Sequence, residues 1–194
     1  MRGISGAWHA TVKRPPPSTP KRGRVTELRP LTERDLPAVT ALQNSVFDPL
    51  YRETQDVLGS RLAIAPTCCW GAFRDGELLA YILSHPWPAG SPPPIGRPLP
   101  PPPAGDNWFI HDLACAPEAR GLRLAQGLVR CAADGALKLG LIRGDLIAVQ
   151  GAWSFWEKLG YAPAETVSDA LAAKVAGYGP DARYMTALIS ALKV

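Results

Sequence analysis

Hydrophobic residues recur at helical spacing in several stretches of the chain. The clearest follows Thr32, where Leu36, Val39 and Leu42 lie three to four positions apart, as on one face of a helix. Threonine is a favoured N-cap residue, and Pro49 ends the pattern, so a helix is predicted between these two positions. Further helices are predicted over residues 51–65, 124–138, 151–160 and 168–177.

Continuous apolar runs predict buried strands at residues 108–115 and 141–149. Asp75 and Gly76 separate two more runs and are typical of a hairpin turn. The flanking strands are predicted at residues 69–73 and 77–84, with outer strands at residues 25–29 and 183–192. The element order, βααβββαβαβ without an internal repeat, predicts one α/β domain over residues 25–194.

Residues 109–125 combine a buried strand, a tight turn and the start of an apolar helix. Pro117 ends the strand and Gly121 permits the turn. The first N–H groups of a helix lack partners within the helix, and with the helix dipole they favour an anion. His111 and Asp112 interrupt the apolar strand just upstream. The segment therefore predicts an anion site beside groups that can transfer protons.

This segment resembles the acetyl-CoA-binding core of the GCN5-related N-acetyltransferases, the GNAT family. The family pattern is Leu-Ala-Val-x-Pro followed by Arg/Gln-x-x-Gly-x-Gly/Ala. It corresponds here to residues 113–117 and 120–125, with Arg123 in place of the middle glycine. A second family pattern, Ala-x-x-Phe-Tyr-x-x-x-Gly-Phe, is similar to residues 152–161, with Trp156 in place of tyrosine. The resemblance covers residues 25–192 and implies a mixed, mostly antiparallel sheet flanked by helices.

The resemblance also implies acetyl-CoA as co-substrate. Backbone amides of the turn would hold the pyrophosphate without a lysine, and the edge of the preceding strand would pair with the amide-rich pantetheine arm. The implied cofactor-binding residues are Leu113, Ala114, Cys115, Arg120, Gly121, Leu122, Arg123, Leu124, Ala125, Gln150 and Phe155.

His111 and Asp112 are the candidate catalytic bases. Acetyl transfer needs an amine that has lost its proton, and a base that titrates near neutral pH can accept it directly or through water. Family members place a glutamate at the position of Asp112, and the arylalkylamine branch places a histidine at that of His111. Neighbouring residues of a regular strand face opposite sides, so both serve one site only if a bulge redirects one of them. A structural role is the alternative for each.

The general acid is not identified by the sequence. The tyrosine that protonates the leaving thiolate in the family is replaced by Trp156, whose indole cannot supply a proton. Tyr161 and Tyr184 are the alternatives considered. His85 is expected at the surface or as a cap, with the substrate entrance as the alternative.

Charge and proline are unevenly distributed. Residues 1–24 carry six basic residues and no acid, which leaves 15 basic and 17 acidic residues in the rest. The tail is expected to be disordered, with an organelle transit peptide as the alternative, and nucleic acid is not an expected partner. Ten of the 21 prolines lie between Pro86 and Pro103, so residues 86–107 are predicted as an insertion loop that borders the substrate site or lies on the surface.

The cysteine and hydropathy patterns point to a reduced compartment. The four cysteines form no CxxC pair, so no metal site is expected. No apolar run approaches the ~20 residues of a membrane span, so no membrane is expected as partner. A cytoplasmic location is expected, and a homodimer is compatible with the family.

The resemblance to the GNAT family implies an N-acetyltransferase. It would move the acetyl group of acetyl-CoA to a primary amine of a small molecule or protein by direct attack in a ternary complex. The alternative is a coenzyme A-binding protein of the same fold with little or no catalysis, a sensor or regulator, because both Arg123 and Trp156 depart from the family pattern.

Overall fold

The computed structural model describes residues 25–100 and 105–194. These residues contain seven strands and five α-helices. The strands are β1 (Glu27–Pro30), β2 (Trp70–Arg74), β3 (Glu77–Trp87), β4 (Asn107–Cys115), β5 (Arg143–Ala148), β6 (Ala162–Pro163) and β7 (Arg183–Leu188). The helices are α1 (Leu36–Val46), α2 (Gln55–Ile64), α3 (Leu124–Lys138), α4 (Trp153–Lys158) and α5 (Asp169–Ala176).

The strands form one mixed sheet in the order β1-β2-β3-β4-β5-β7-β6. The β4–β5 pair is parallel and the other neighbouring pairs are antiparallel. The fold class predicted from the sequence, a mixed and mostly antiparallel sheet flanked by helices, is therefore confirmed.

Two apolar cores lie on opposite faces of the sheet. On one face, Leu128 and Ala132 of α3 pack with Trp108 of β4 and Leu146 of β5. On the other face, α1 and α2 pack against β3, and Leu58 of α2 and Tyr81 of β3 belong to one buried cluster. Because both faces are covered, the central strands are almost entirely apolar, as their sequences indicated.

Strands β4 and β5 diverge after a short pairing. Only Trp108–Ile110 pairs with Gly144–Leu146 among the described residues, although β4 continues to Cys115. A bulge lies at the point of divergence, because Leu83 is opposite Asp112 while the next residue, Ser84, is opposite Ile110. His111 is thus the extra residue of β4. The bulge that His111 and Asp112 would need in order to serve one site is present.

The prediction for the proline-rich loop was wrong at both ends. Strand β3 extends through Pro86 and Trp87, and β4 begins at Asn107. At Pro86 the strand is beyond its pairing with β2, which ends at Ile82, and has β4 alone as its neighbour. Proline is tolerated in such an edge position because its missing N–H removes no sheet hydrogen bond. The predicted disordered tail and residues 101–104 lie outside the described residues.

Candidate active site

A cavity of about 170 Å³ opens where β4 and β5 diverge. Strand β4 contributes five consecutive residues to its wall, Phe109, Ile110, His111, Asp112 and Leu113. The β5–α4 side contributes Leu146, Ile147, Val149, Gln150, Ala152 and Trp156. The rest of the lining, which we call the aromatic chamber, consists of Phe47, Tyr51, Glu53, Ile95 and Tyr178. The cavity therefore joins the free edge of β4 to the aromatic chamber.

Both candidate bases face this cavity, and the bulge explains why. His111 is held by Glu53, whose Oε2 lies 2.7 Å from His111 Nε2, and its side chain is only 7% exposed. The Nε of Arg61 lies 3.2 Å from the same nitrogen. His111 Nδ1 is buried and has no hydrogen-bond partner among the described residues.

Glu53 is a functional candidate that the sequence did not reveal. It lies between α1 and α2 and is 7% exposed. Its Oε1 accepts hydrogen bonds from Arg61 Nη2, at 3.1 Å, and from the Gly96 N–H, at 2.7 Å. Burial raises the pKa of Glu53, but the hydrogen bond and charge of His111, with Arg61 and Gly96, outweigh burial and hold this pKa below its ordinary value. The carboxylate is therefore ionised at neutral pH.

Asp112 is committed to a buried network. Its Oδ2 accepts hydrogen bonds from the Tyr81 hydroxyl, at 2.5 Å, and from Gln43 Nε2, at 3.0 Å. Burial raises the pKa of Asp112, and the hydrogen bonds from Tyr81 and Gln43 only partly offset this. Gln43 also accepts the Glu53 backbone N–H at 2.6 Å, so the network connects α1 to the segment that carries Glu53.

In the turn predicted to bind pyrophosphate, the N–H groups of Arg120 and Leu122 already donate to the Pro117 and Ala119 carbonyls, each at 3.3 Å, so the open amides are those at the start of α3. Gly121 and Arg123 have φ angles of 82° and 58°, and the first hydrogen bond into α3 runs from the Gly127 N–H to the Arg123 carbonyl, at 3.2 Å. Arg120, Gly121, Leu122 and Arg123 are exposed, and Leu124 and Ala125 are half-buried. Arg123 adopts the left-handed conformation that its family counterpart, glycine, reaches without strain.

The three predicted pantetheine contacts lie on the part of β4 that does not pair with β5. Leu113 lines the cavity, whereas Ala114 is buried against α1 and α2. Cys115 is half-buried, and burial raises the pKa of its thiol, which keeps it from acting as a thiolate nucleophile. What the structure offers a ligand here is the strand's backbone edge.

The two predicted cofactor-binding residues of the β5–α4 segment differ in position: Gln150 lines the cavity and Phe155 does not. Gln150 lines the cavity with a φ of 51°, and Trp156 occupies the wall beside it. Phe155 packs edge-on against Trp156, with 5.1 Å between ring centroids, instead of lining the cavity.

Neither tyrosine suggested as a general acid lines the cavity. The Tyr161 hydroxyl is buried near Gly144 and Trp108, and the Tyr184 hydroxyl donates to Asp145. Both rings are held in place by sheet packing, which spacing along the sequence could not show. Tyr178 does line the cavity, and burial, together with the negative charge of Glu53, raises its pKa to about 12, so its phenol keeps its proton at neutral pH.

The proline-rich loop borders the cavity through a buried arginine. Arg61 of α2 is fully buried and donates to the carbonyls of Arg97, at 2.7 Å, and Pro94, at 3.1 Å. Ile95 between them lines the cavity. The expectation that this loop borders the substrate site agrees with this geometry. A hint was present in the sequence, since Arg61 recurs at helical spacing with Val57 and Leu58 on the apolar face of α2.

His85 corrects another expectation. It is fully buried rather than exposed or capping, with its Nδ1 3.0 Å from the Pro86 carbonyl oxygen. Its ring lies between Trp87 and Phe109, at centroid distances of 5.4 and 6.1 Å. A histidine next to a proline-rich segment gave no indication that β3 continues and carries it into the interior.

No helix within 25–100 or 105–194 is long and apolar enough to cross a membrane. No group of three or more His, Cys, Asp or Glu side chains in the same residues is arranged to hold a metal ion.

Comparison with known proteins places this geometry in a family. Similar solved structures include Ard1 from Thermoplasma volcanium, with a TM-score of 0.63 and 13% identity over 84% of this chain and 97% of that one. A GNAT-like decarboxylase, GphF, in complex with isobutyryl-CoA has a TM-score of 0.63 and 14% identity over 84% of this chain and 99% of that one. The ribosomal-protein-S18-alanine N-acetyltransferase from Escherichia coli has a TM-score of 0.57 and 15% identity over 85% of this chain and 94% of that one. At these identities the likeness shows the fold.

A search of curated protein sequences found no match. A model of the acetyltransferase (GNAT) family matches residues 33–161, more than half of the chain. This confirms the family predicted from residues 113–125 and 152–161. The chain belongs to the acetyltransferase (GNAT) family.

Proposed function

We propose that this protein is an N-acetyltransferase that moves the acetyl group of acetyl-CoA to a primary amine of a small molecule or protein. The observation that carries the proposal is the cavity at the divergence of β4 and β5, where the unpaired edge of β4, His111 and the aromatic chamber share one lining. The free edge of β4 suits an amide-rich acyl-CoA arm, and the aromatic chamber is left for the amine.

The cofactor residues divide by the part of acetyl-CoA they meet. The pyrophosphate lies at the turn of residues 120–125, where the open backbone amides at the N-terminus of α3 hold it. The edge of β4 at Leu113 pairs with the pantetheine arm, and a backbone N–H near the bulge polarises the thioester carbonyl. No cofactor atom needs the Arg123 side chain, which points into solvent.

His111 is the better candidate base in this geometry. The Asp112 carboxylate is held by Tyr81 and Gln43, whereas His111 has a ring nitrogen without a partner. His111 takes a proton from the ammonium form of the substrate, and the neutral amine then attacks the thioester carbonyl. The carbon–nitrogen bond forms and the carbon–sulfur bond breaks; one of the two remaining amine protons passes to the sulfur, which leaves as coenzyme A thiol, and the other stays on the amide nitrogen.

The alternative, a coenzyme A-binding protein without catalysis, is favoured by Trp156 at the place of the family's tyrosine. Titration with acetyl-CoA followed by thiol release against a panel of amines separates the two functions. We expect binding and amine-dependent thiol release, with release reduced about 10²-fold or more in His111→Gln. Binding with no release for any amine would favour the alternative, and absence of binding would reject both.

The same assay should include carbon dioxide release. One structural neighbour is named a decarboxylase, so the fold does not by itself fix the reaction. Malonyl-CoA incubated without an amine provides this arm. We expect no carbon dioxide; its release at a rate that exceeds thiol release with every amine would contradict the proposed transfer.

A further inference from the structure

We infer that Glu53 is a positioning residue that fixes the tautomer of His111, so that Nδ1 is the nitrogen that accepts a proton. This rests on the proposed role of His111 as the base. Glu53 does not touch the reacting atoms in this assignment; it acts through the imidazole ring.

The contacts of His111 Nε2 determine where the ring proton lies. Nε2 is 2.7 Å from Glu53 Oε2 and 3.2 Å from Arg61 Nε. Nε2 cannot both donate to the carboxylate and accept from the guanidinium. The shorter contact is to an ionised carboxylate, which has no proton to donate, so Nε2 must carry the hydrogen. Arg61 Nε and His111 Nε2 are then close neighbours without a hydrogen bond between them.

With the proton on Nε2, the free electron pair of neutral His111 lies on Nδ1. This nitrogen is buried and has no partner among the described residues, although the His111 ring lines the cavity. A buried ring nitrogen without a partner is costly unless a substrate or a bridging water meets it. Nδ1 is therefore the atom that takes the ammonium proton, directly or through one water.

Glu53 can fix the tautomer of His111 because its two carboxylate oxygens have different hydrogen-bond partners. Oε1 accepts from two donors, Arg61 Nη2 and the Gly96 N–H, while Oε2 is left for His111. Other ionisable groups around the pair are Asp112, Tyr178 and His85, and none of them contacts Nε2. Arg61 and Gly96 also connect the same carboxylate to the proline-rich loop.

This division of oxygens predicts an unusual result for Glu53→Gln. Glutamine has only one acceptor oxygen, and the donors Arg61 Nη2 and Gly96 N–H hold that oxygen at the Oε1 position. Its amide nitrogen must then face His111 Nε2, which has to become an acceptor. The ring proton therefore moves to Nδ1, and the free electron pair moves to Nε2, where the glutamine amide occupies it.

Nitrogen NMR of the full-length protein labelled with ¹⁵N-histidine tests this without any substrate. Only three histidines are present, and His85→Asn and His111→Asn variants assign the two in the fold. In neutral wild-type His111 we expect a protonated Nε2, with a slowly exchanging proton, and an unprotonated Nδ1. His85 should show the opposite tautomer, because its Nδ1 faces the Pro86 carbonyl. A protonated Nδ1 on neutral wild-type His111 would overturn the inference.

Glu53→Gln should move the His111 proton to Nδ1, and the matched control Glu77→Gln, at an exposed position of β3, should leave it on Nε2. An unchanged tautomer in Glu53→Gln would also overturn the inference. If Glu53→Gln does not fold, the slowly exchanging Nε2 proton in the wild-type protein and its nuclear Overhauser contact to Glu53 decide the question.

Kinetics then separate this inference from the proposed function. With an amine that the wild-type protein acetylates, Glu53→Gln should lower kcat about 10²-fold or more and leave the dissociation constant of acetyl-CoA within twofold. If no amine is ever acetylated, the proposed function fails while the tautomer measurement still stands. If an amine is acetylated equally well by Glu53→Gln, the positioning role fails alone.

Discussion

His85 makes the stability of the protein depend on pH. Burial is the main reason that its pKa falls to about 3, helped by the charges of His111 and Arg61, whereas a histidine of the unfolded chain titrates near 6.5. Between these two values the unfolded chain binds one proton more than the folded one. The free energy of unfolding therefore falls by about 1.4 kcal/mol for each unit that the pH drops through this window, and is fully retained above it.

Replacing His85 with asparagine should remove this dependence. The asparagine amide can donate to the Pro86 carbonyl as Nδ1 does, but it does not titrate. The prediction is tested by urea unfolding at pH 7, 5.5 and 4. The free energy of unfolding of the variant, relative to that of the wild-type protein, should rise by about 3 kcal/mol as the pH falls from 6.5 to 4. Any cost of the smaller side chain is the same at each pH, so a difference that does not change with pH would contradict the prediction.

Arg123 is strained by its backbone conformation. Its φ of 58° lies in the left-handed region, which costs a residue with a Cβ about 1 kcal/mol. Arg123→Gly should therefore raise the free energy of unfolding by about 0.5–1 kcal/mol despite the greater freedom of glycine in the unfolded chain. It should also tighten acetyl-CoA binding, because phosphate can approach the bare backbone.

A second arginine in the same turn provides the control. Arg120 has a φ of −61°, where glycine brings no relief, so Arg120→Gly should lower the free energy of unfolding. Chemical unfolding of both variants without ligand compares them. Equal effects of the two glycines would mean that the φ of Arg123 stores no strain.

Helix α2 and the proline-rich loop are held together by buried polar contacts. Arg61 donates to two loop carbonyls, the Gly96 N–H donates to Glu53, and the Leu99 N–H donates to Ser60 Oγ at 2.9 Å. A buried charge that loses a partner is costly, because its remaining neighbours stay desolvated. The position of the loop over the cavity should therefore depend on the full donor set of Arg61.

Arg61→Lys tests this dependence. Lysine keeps the charge but cannot present donors in a planar fork to both carbonyls and Glu53. Hydrogen exchange at the Gly96 and Leu99 amides should accelerate by about tenfold or more, since opening of the loop would cost at least one hydrogen bond less. The exposed Arg52→Lys is the matched control; similar acceleration in both variants would show that Arg61 does not hold the loop.

The sequence predicted the elements better than the contacts between them. The cap at Thr32, the hairpin at Gly76 and the strand–turn–helix at residues 109–125 are local, and each agrees with the structure. Glu53 was missed because its partner His111 is more than 45 residues away in sequence, and the place of Arg61 on the apolar face of α2 indicates burial but not its partners. The extension of β3 through Pro86 was missed because a neighbouring strand, not the residue itself, makes proline tolerable there.

The sheet consists of two parts joined by a short parallel pairing. Strands β1 to β4 form one part, and β5, β7 and β6 form the other. Three residue pairs between β4 and β5 connect them, and beyond Ile110 the edge of β4 has free backbone groups. A ligand arm that pairs with this edge and also contacts the β5–α4 side would add a connection between the two parts.

Acetyl-CoA should therefore protect more of the protein than its nucleotide half does. We expect 3′-phosphoadenosine diphosphate to slow hydrogen exchange at residues 120–125 only, because it reaches the turn at the N-terminus of α3 but has no pantetheine arm. Acetyl-CoA should slow exchange there and also at the β4 amides of residues 111–115 that face away from β3. At a hundredfold excess over its dissociation constant it should add about 2.7 kcal/mol to the free energy of unfolding, and this should appear in the exchange of both parts of the sheet. Equal protection of residues 111–115 by both ligands, or by neither, would mean that the free edge of β4 does not receive the pantetheine arm.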